Sequence, residues 1–140
     1  MRVVIDTAVV AAGLRSRRGA GHAVLRSVDA RRLRPLVTTA LFLEYEDVLK
    51  RPEQMLATGL DAGAVDEFLA EFAMLCEPVE IHFLWRPQSR DPADEFVLEA
   101  AVNGQADALV TYNARDFIAL AARFGIPVLS PAELLTRMRS

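Results

Sequence analysis

The chain begins with MRVVIDTAVV (residues 1–10), in which one aspartate separates two apolar runs. The Val-Val-Ile run at residues 3–5 is typical of a short strand that is buried on both faces of a sheet. The run after Asp6 can continue as an apolar helix. Asp6 is therefore expected at the carboxyl end of a strand, where its carboxylate either caps the helix or belongs to a site.

Apolar runs with strand character alternate with helical patterns along the rest of the chain. This alternation predicts an α/β fold, a three-layer α/β/α arrangement with a central parallel sheet. Turns are expected at RRGAG, RPEQ, WRPQSRDP and NGQAD. The predicted strands are 3–5, 36–37, 109–111 and 127–129, and the predicted helices lie near 8–14, 21–30, 39–51, 62–76, 92–103, 116–124 and 131–138.

Length and composition predict one domain spanning residues 1–140, because a hydrophobic fraction of 52% is enough for a sizeable core. The one cysteine, Cys76, excludes an internal disulfide, and its apolar surroundings favour a buried thiol. The sequence has neither a secretory leader nor a run of eighteen uncharged apolar residues. We therefore expect a cytoplasmic protein that does not span a membrane.

The formal net charge of -3 is unevenly distributed, because arginines are concentrated in one early stretch. Such a stretch can follow a phosphate backbone, or it can be a solvated helix face. Both interpretations stay open. The arginines are Arg15, Arg17, Arg18, Arg26, Arg31, Arg32 and Arg34.

The segment TTALFLEYEDVLKR predicts a helix that begins at a threonine cap and carries an acid on its inner face. Leu41, Glu44 and Val48 have the i, i+3, i+7 spacing of one helix face, which turns Glu44 toward the apolar side. An inward carboxylate is costly unless it is paired or binds a cation. The alternative is a boundary glutamate that reaches water.

Two later segments supply further acids. In RDPADEFVLEAA, Asp94 shares a face with apolar residues, but Asp91 and Asp94 also have nearly the spacing of a capping box. In VTYNARDF, Asn113 and Asp116 follow a predicted strand, and each could instead stabilise the start of the next helix. Both segments allow a structural or a functional interpretation.

Carboxylates that converge at one edge of a sheet repel one another, so a hard cation is their natural partner. Oxygen ligands completed by water suit Mg²⁺ or Mn²⁺, and such a site serves phosphodiester hydrolysis. Other chemistries have less support. His22 and His82 are the only histidines and lie near no serine or cysteine motif, and RGAGHA lacks the full pattern of a phosphate-binding loop.

The order and spacing of these segments resemble the PIN-domain family, and in particular the VapC-type toxins of toxin–antitoxin pairs. The similarity runs over nearly the whole chain, through VVIDTAVV, TTALFLEYEDVLKRP, RDPADEFVLEAA, ADALVTYNARDF and IPVLSPAELL. It implies a PIN-like fold and a Mg²⁺- or Mn²⁺-dependent ribonuclease. It also implies a homodimer and a small antitoxin protein as partner.

The resemblance carries individual roles to residues of this chain. It makes Asp6, Glu44 and Asp94 the first three acids of a catalytic metal site and Asp116 the candidate fourth. Ala8 stands where the family commonly has asparagine or serine, and Asn113 stands where an aspartate often occurs. Thr7, Asp91 and Asn113 are possible additional site residues.

Three hypotheses follow, from different classes. The first is a metal-dependent endoribonuclease that hydrolyses RNA phosphodiester bonds. The second, motivated by Ala8 and Asn113, is a PIN-fold binding module that contacts RNA or an antitoxin without efficient cleavage. The third is a sheet-based phosphatase or nucleotide-binding protein. Cleavage of RNA that requires added Mn²⁺ distinguishes the first from the others.

Overall fold

The computed structural model describes residues 1–82 and 92–139 of the chain. Asp91 and most of the connector predicted at WRPQSRDP lie outside the described residues.

In the described residues, five strands form one sheet in which every neighbouring pair is parallel. The strand order is β3-β2-β1-β4-β5, so β1 lies at the centre with β2 on one side and β4 on the other. This sheet and its helices confirm the predicted three-layer α/β/α architecture. The strands are β1 (Arg2–Ile5), β2 (Arg34–Val37), β3 (Glu77–Pro78), β4 (Ala108–Val110) and β5 (Val128–Leu129).

Helices connect the strands, as a parallel sheet requires. The first two helices pack on each other, and the third packs against the first, fifth and sixth. None of the helices in the described part of the chain is long and apolar enough to cross a membrane. The helices are α1 (Thr7–Arg15), α2 (Ala20–Asp29), α3 (Thr39–Leu49), α4 (Pro52–Thr58), α5 (Ala62–Leu75), α6 (Pro92–Gly104), α7 (Ala114–Arg123) and α8 (Pro131–Arg139).

The prediction of a turn at RPEQ was wrong, because α4 begins at Pro52. Proline suits the first turn of a helix, where its missing N–H would have no intrahelical partner. The helix ends at Gly59, whose φ of 77° is the left-handed conformation that glycine adopts at little cost. No residue of α4 is buried, so the segment lacks the apolar periodicity that would have predicted it.

Strand β3 was not predicted either. It has only two residues, one of them Pro78, and pairs at the edge of the sheet with Leu36 and Val37 of β2. A strand this short has no alternation of apolar and polar residues that a sequence pattern could show.

The core is built around β1, whose residues Val3, Val4 and Ile5 have no exposed surface. This confirms that the strand is buried on both faces. Cys76 is buried as expected, and burial raises the pKa of its thiol to about 12. The thiol is therefore neutral near pH 7.

Helices α1 and α2 approach each other closely where two glycines meet. A Cβ on Gly13 would lie 2.6 Å from Leu25 Cδ1 and 2.9 Å from the carbonyl oxygen of Gly21. Any side chain at Gly13 would therefore force the two helices apart, and the glycine allows α2 to pack closely on the C-terminal half of α1.

Candidate active site

The carboxyl ends of β1 and β4 form the crevice where a ligand is expected in this kind of sheet. The chain moves from β1 to β2 on one side and from β4 to β5 on the other, so the connections diverge between these two central strands. Open α/β sheets bind ligands at such a switch point. Asp6 follows β1 directly, and Thr111 follows β4 directly.

Asp6 is a buried acid with a defined hydrogen-bond donor. Its exposed fraction is 7%, and its Oδ2 accepts a hydrogen bond of 2.7 Å from the hydroxyl of Thr111, which is fully buried. Asp6 occupies the N-cap position of α1, yet its side chain makes no capping hydrogen bond. The carboxylate is thus directed toward β4 and not to the helix backbone, which favours the site interpretation over the capping one.

Thr111 was not singled out from the sequence. Its Oγ1 donates to Asp6 and also accepts a hydrogen bond of 3.0 Å from the backbone N–H of Asn113. Because a hydroxyl has one proton, the bond from Asn113 directs that proton toward the carboxylate. The feature of the sequence that could have indicated Thr111 is a polar β-branched residue at the end of an apolar strand.

Tyr45 joins α3 to the end of β1. Its hydroxyl donates to the carbonyl oxygen of Ile5, the residue before Asp6, and its side chain is fully buried. Burial raises the pKa of Tyr45 well above its ordinary value, and coulombic repulsion from the ionised forms of Cys76 and Asp6 raises it further. The tyrosine therefore stays protonated and keeps donating, and it brings the middle turns of α3 to the candidate site.

Thr7 is the first residue of α1 and is 5% exposed. Its Oγ1 is buried and has no hydrogen-bond partner. A buried hydroxyl without a partner is costly and rare. An oxygen in this condition beside Asp6 indicates a position where a ligand or water would complete the hydrogen bonding.

Glu44 lies at the border of the core and not on its innermost face. The buried stripe of α3 is Leu41, Tyr45 and Leu49, whereas Glu44 and Val48 are half-buried. The buried face of α3 is therefore rotated by part of a turn from the predicted face, because the Tyr45 ring lies in the core. The charge of Glu44 contributes to raising the pKa of Arg51, after the C-terminal end of α3, and a place for Glu44 beside Asp6 stays a prediction.

Asp94 is half-buried on the first turns of α6, while Val97 and Leu98 on the same helix are buried. Glu99 is a further acid of α6 and is half-buried. Burial raises the pKa of Glu99, and the nearby charge of Glu95 raises it further. The capping role considered for Asp91 concerns a residue that lies outside the described ranges.

Asn113 and Asp116 both lie at the surface after β4. Asn113 occupies the N-cap position of α7, but its side chain makes no capping hydrogen bond, so the capping role considered for it is not seen. The backbone N–H of Asp116 donates to the carbonyl oxygen of Asn113. Of the two, Asn113 is the residue whose backbone is tied to the Thr111 hydroxyl.

The donors at this edge have the chemistry of a Mg²⁺ or Mn²⁺ site. Asp6 and Thr7 offer oxygens, and two half-buried carboxylates lie on the neighbouring helices α3 and α6. Across residues 1–82 and 92–139, no group of three or more His, Cys, Asp or Glu side chains is close enough to hold a metal ion by itself. Mg²⁺ usually keeps several waters and is held directly by one or two carboxylates, so the oxygens of Asp6 and Thr7 are of the type that it accepts.

The arginines near the start of α2 do not share one environment. The Arg15 side chain donates to Gln54 of α4 at 3.2 Å, and Arg17 and Arg18 are exposed in the turn before α2. Gln54 therefore holds Arg15 in place. Contact with a phosphate backbone stays a prediction for all three.

A parallel sheet with a buried aspartate at its switch point defines this molecule as an α/β protein with a site at the carboxyl ends of β1 and β4. A family model described as PIN domain matches residues 2–115, and the chain therefore belongs to the PIN-domain family. PIN domains are in general nucleases, and they typically use divalent metals. No curated protein and no solved structure matches the chain. The matched segment contains Asp6, Glu44, Asp94 and Asn113 and ends one residue before Asp116.

Proposed function

We propose that this protein is a metal-dependent endoribonuclease that hydrolyses RNA phosphodiester bonds, with Asp6 as its central acid. The observation that carries the proposal is the buried carboxylate of Asp6, oriented by the Thr111 hydroxyl at the switch point of a PIN-family sheet. A buried carboxylate at a ligand-binding edge is costly unless it serves a cation or a hydrogen-bonded group.

Asp6 would hold Mg²⁺ or Mn²⁺ directly, and Glu44 and Asp94 would do so directly or through water. When bound, such a cation neutralises charge that develops on the phosphoryl oxygens and favours ionisation of a water nucleophile. Thr111 orients Asp6 through its hydrogen bond. Hydrogen bonds to metal-ligating carboxylates commonly tune their affinity, so Thr111 acts as a positioning residue.

Asp116 is the weakest member of the proposed acidic set. It is exposed and lies on the first turn of α7, whereas Asp6 is buried. We assign Asp116 or Asn113 the role of orienting a water or a second ion. Asp91 and Thr7 remain possible additional members, and Thr7 is supported by its unpartnered buried hydroxyl.

The biological role that we propose is the toxin of a toxin–antitoxin pair in the cytoplasm. It rests on the resemblance of the five sequence segments to VapC-type toxins, and it includes a homodimer and a small antitoxin partner. Arg15, Arg17 and Arg18 would guide single-stranded RNA toward the crevice.

A second candidate is a PIN-fold module that binds RNA or an antitoxin without efficient cleavage. Two observations favour it. Ala8 and Asn113 depart from the residues common in the family, and the described residues do not bring three carboxylates together around one point.

Purified protein with unstructured RNA, assayed in chelator and in Mn²⁺, separates the two candidates. The matched variants are Asp6→Asn and Asp107→Asn. Asp107 is exposed and directly precedes β4, so it lies at the opposite end of the strands from Asp6. Its carboxylate accepts a hydrogen bond from the backbone N–H of Arg2. We expect wild type and Asp107→Asn to cleave only with Mn²⁺, and Asp6→Asn to cleave in neither condition.

Thermal melts of the same proteins supply a second measurement. A ligand that binds only the folded state raises the melting temperature, so Mn²⁺ should stabilise wild type and Asp107→Asn more than Asp6→Asn. RNA binding without cleavage in Mn²⁺ would support the binding module instead. Cleavage by Asp6→Asn at the rate of wild type would overturn the site.

A further inference from the structure

Tyr112 is an exposed aromatic residue at the edge of the candidate site. Its exposed fraction is 48%, although it directly follows Thr111, which is fully buried. The backbone N–H groups of both neighbouring residues, Thr111 and Asn113, are hydrogen-bonded. The N–H of Thr111 donates to the carbonyl oxygen of Leu129 at 2.9 Å, and the N–H of Asn113 donates to the Thr111 hydroxyl at 3.0 Å.

The far end of the tyrosine side chain reaches the contact between α1 and α2. Its hydroxyl oxygen lies 3.0 Å from the position that a Cβ on Gly21 would take, and the carbonyl oxygen of Val9 lies at the same distance from that position. Val9 is in the first turn of α1, where its N–H donates to the carbonyl oxygen of Asp6. The side chain therefore extends from the end of β4 to the helix that Asp6 begins.

The side chain therefore lies between the end of β4 and Gly21 of α2, while about half of the residue remains exposed to solvent. A single exposed aromatic residue is ordinary on a protein surface. Tyr112 differs because it lies between Thr111, whose hydroxyl orients Asp6, and Asn113, whose N–H donates to that hydroxyl. Its backbone position is therefore set relative to the proposed catalytic acid. Proteins that bind single-stranded nucleic acid use aromatic rings in such positions to stack on unpaired bases.

We propose that Tyr112 is a stacking platform for one base of the RNA strand, which positions the neighbouring phosphate at Asp6. This inference rests on the proposed ribonuclease function and adds a positioning residue to it. Every base has a flat face, so the contact improves affinity without selecting one sequence. The hydroxyl of Tyr112 is not required for stacking, whereas the ring is.

The experiment compares an intact single-stranded RNA with the same RNA that lacks the base next to the cleaved bond. Wild type, Tyr112→Ala, Tyr112→Phe and Phe124→Ala are each measured for equilibrium binding of RNA and for kcat and KM in Mn²⁺. Phe124 is a control because it is another partly exposed aromatic residue, at the opposite end of α7 from the site.

On intact RNA, Tyr112→Ala should weaken binding and raise KM by about 5- to 150-fold, with kcat largely retained. Tyr112→Phe and Phe124→Ala should behave as wild type. On abasic RNA, wild type should weaken to the level of Tyr112→Ala, and Tyr112→Ala should show no further loss. A merely structural tyrosine would instead impair binding of both RNAs equally.

The outcomes separate this inference from the proposed function. Cleavage of RNA with binding that is independent of Tyr112, or equally impaired on both RNAs, overturns the stacking role alone. Binding that depends on Tyr112 and on the base, without cleavage, supports stacking and overturns the ribonuclease. No binding of RNA by wild type overturns both.

Discussion

Strand β1 has charged groups at both of its ends, and they are held in opposite ways. At the amino end, Arg2 forms an ion pair of 2.6 Å with Glu77, and Arg34 contacts the same carboxylate at 3.2 Å. At the carboxyl end, Asp6 is 7% exposed and accepts a hydrogen bond from the uncharged Thr111 hydroxyl.

The charges at the amino end are paired and partly solvated, whereas the charge at the carboxyl end is buried. The side chains of Arg2 and Glu77 are 39% and 30% exposed, so solvent screens their attraction. The hydrogen bond between them raises the pKa of Arg2 and lowers that of Glu77, which keeps both charged. A buried carboxylate such as Asp6 costs free energy on folding. Under the proposed function, a cation bound by Asp6 would offset that cost.

The largest expected effect is that of Asp6→Asn on activity. If the carboxylate holds the cation, cleavage of RNA should fall by at least about 100-fold, more than is typical for loss of an outer partner. Asp107→Asn, at the amino end of β4, should leave the rate unchanged. Initial rates at saturating Mn²⁺ measure both. If Asp6→Asn and Asp107→Asn lost activity equally, the carboxyl ends of the strands would have no special role in cleavage.

The second effect is that of Thr111→Val, which keeps the shape of the side chain and removes the hydroxyl. Loss of a partner that orients a metal-binding carboxylate typically lowers activity or metal affinity by about 10- to 100-fold. Thr111→Ser restores the donor and should recover most of the loss. Titration with Mn²⁺ would show a weaker apparent affinity in the valine variant. An active valine variant would mean that Asp6 needs no orientation from β4.

The third effect concerns Tyr45→Phe and is one of stability. The variant leaves the buried carbonyl oxygen of Ile5 without this donor, which should lower the free energy of unfolding by about 1–3 kcal/mol. Tyr112→Phe removes a hydroxyl from a residue that is 48% exposed and should have little effect. Denaturant unfolding of both variants checks the expectation. Equal stability of both would make the hydrogen bond to Ile5 unimportant.

The smallest effect is expected at the amino end, for Glu77→Gln. An ion pair this exposed contributes at most about 1 kcal/mol, and cleavage should not change. The pKa of Glu77 is lowered in the fold, so its contribution is present above its ordinary pKa of 4.5 and is lost as the pH falls through the lower folded value. Melts across that acid range, at low and high salt, should show the difference between the variants disappear. A difference that persists in strong acid would contradict the ion pair as its source.

The sequence was most informative where the signal is local. The burial of residues 3–5 and the position of Asp6 after them follow from a few adjacent residues, and both are confirmed. The threonine cap of α3 is another local signal, and Thr38 accepts a hydrogen bond from the N–H of Leu41.

The features that the sequence did not predict depend on contacts between distant parts of the chain. The Thr111–Asp6 hydrogen bond joins residues 105 positions apart, and it exists only because β4 pairs with β1. Helical spacing placed Glu44 on the inner face, but the packing of Tyr45 against Ile5 and Phe72 decides which side of α3 is buried. The arrangement of Glu44 and Asp94 around a cation stays a prediction.

The two edge strands of the sheet, β3 and β5, each have only two residues. An open edge exposes unpaired N–H and carbonyl groups that can add a strand from another molecule, and short edges limit this template. Pro78 limits it further at β3, since proline has no N–H to donate. Both edges of the sheet therefore offer only a short template for intermolecular β-structure, and the template at β3 also lacks one N–H donor.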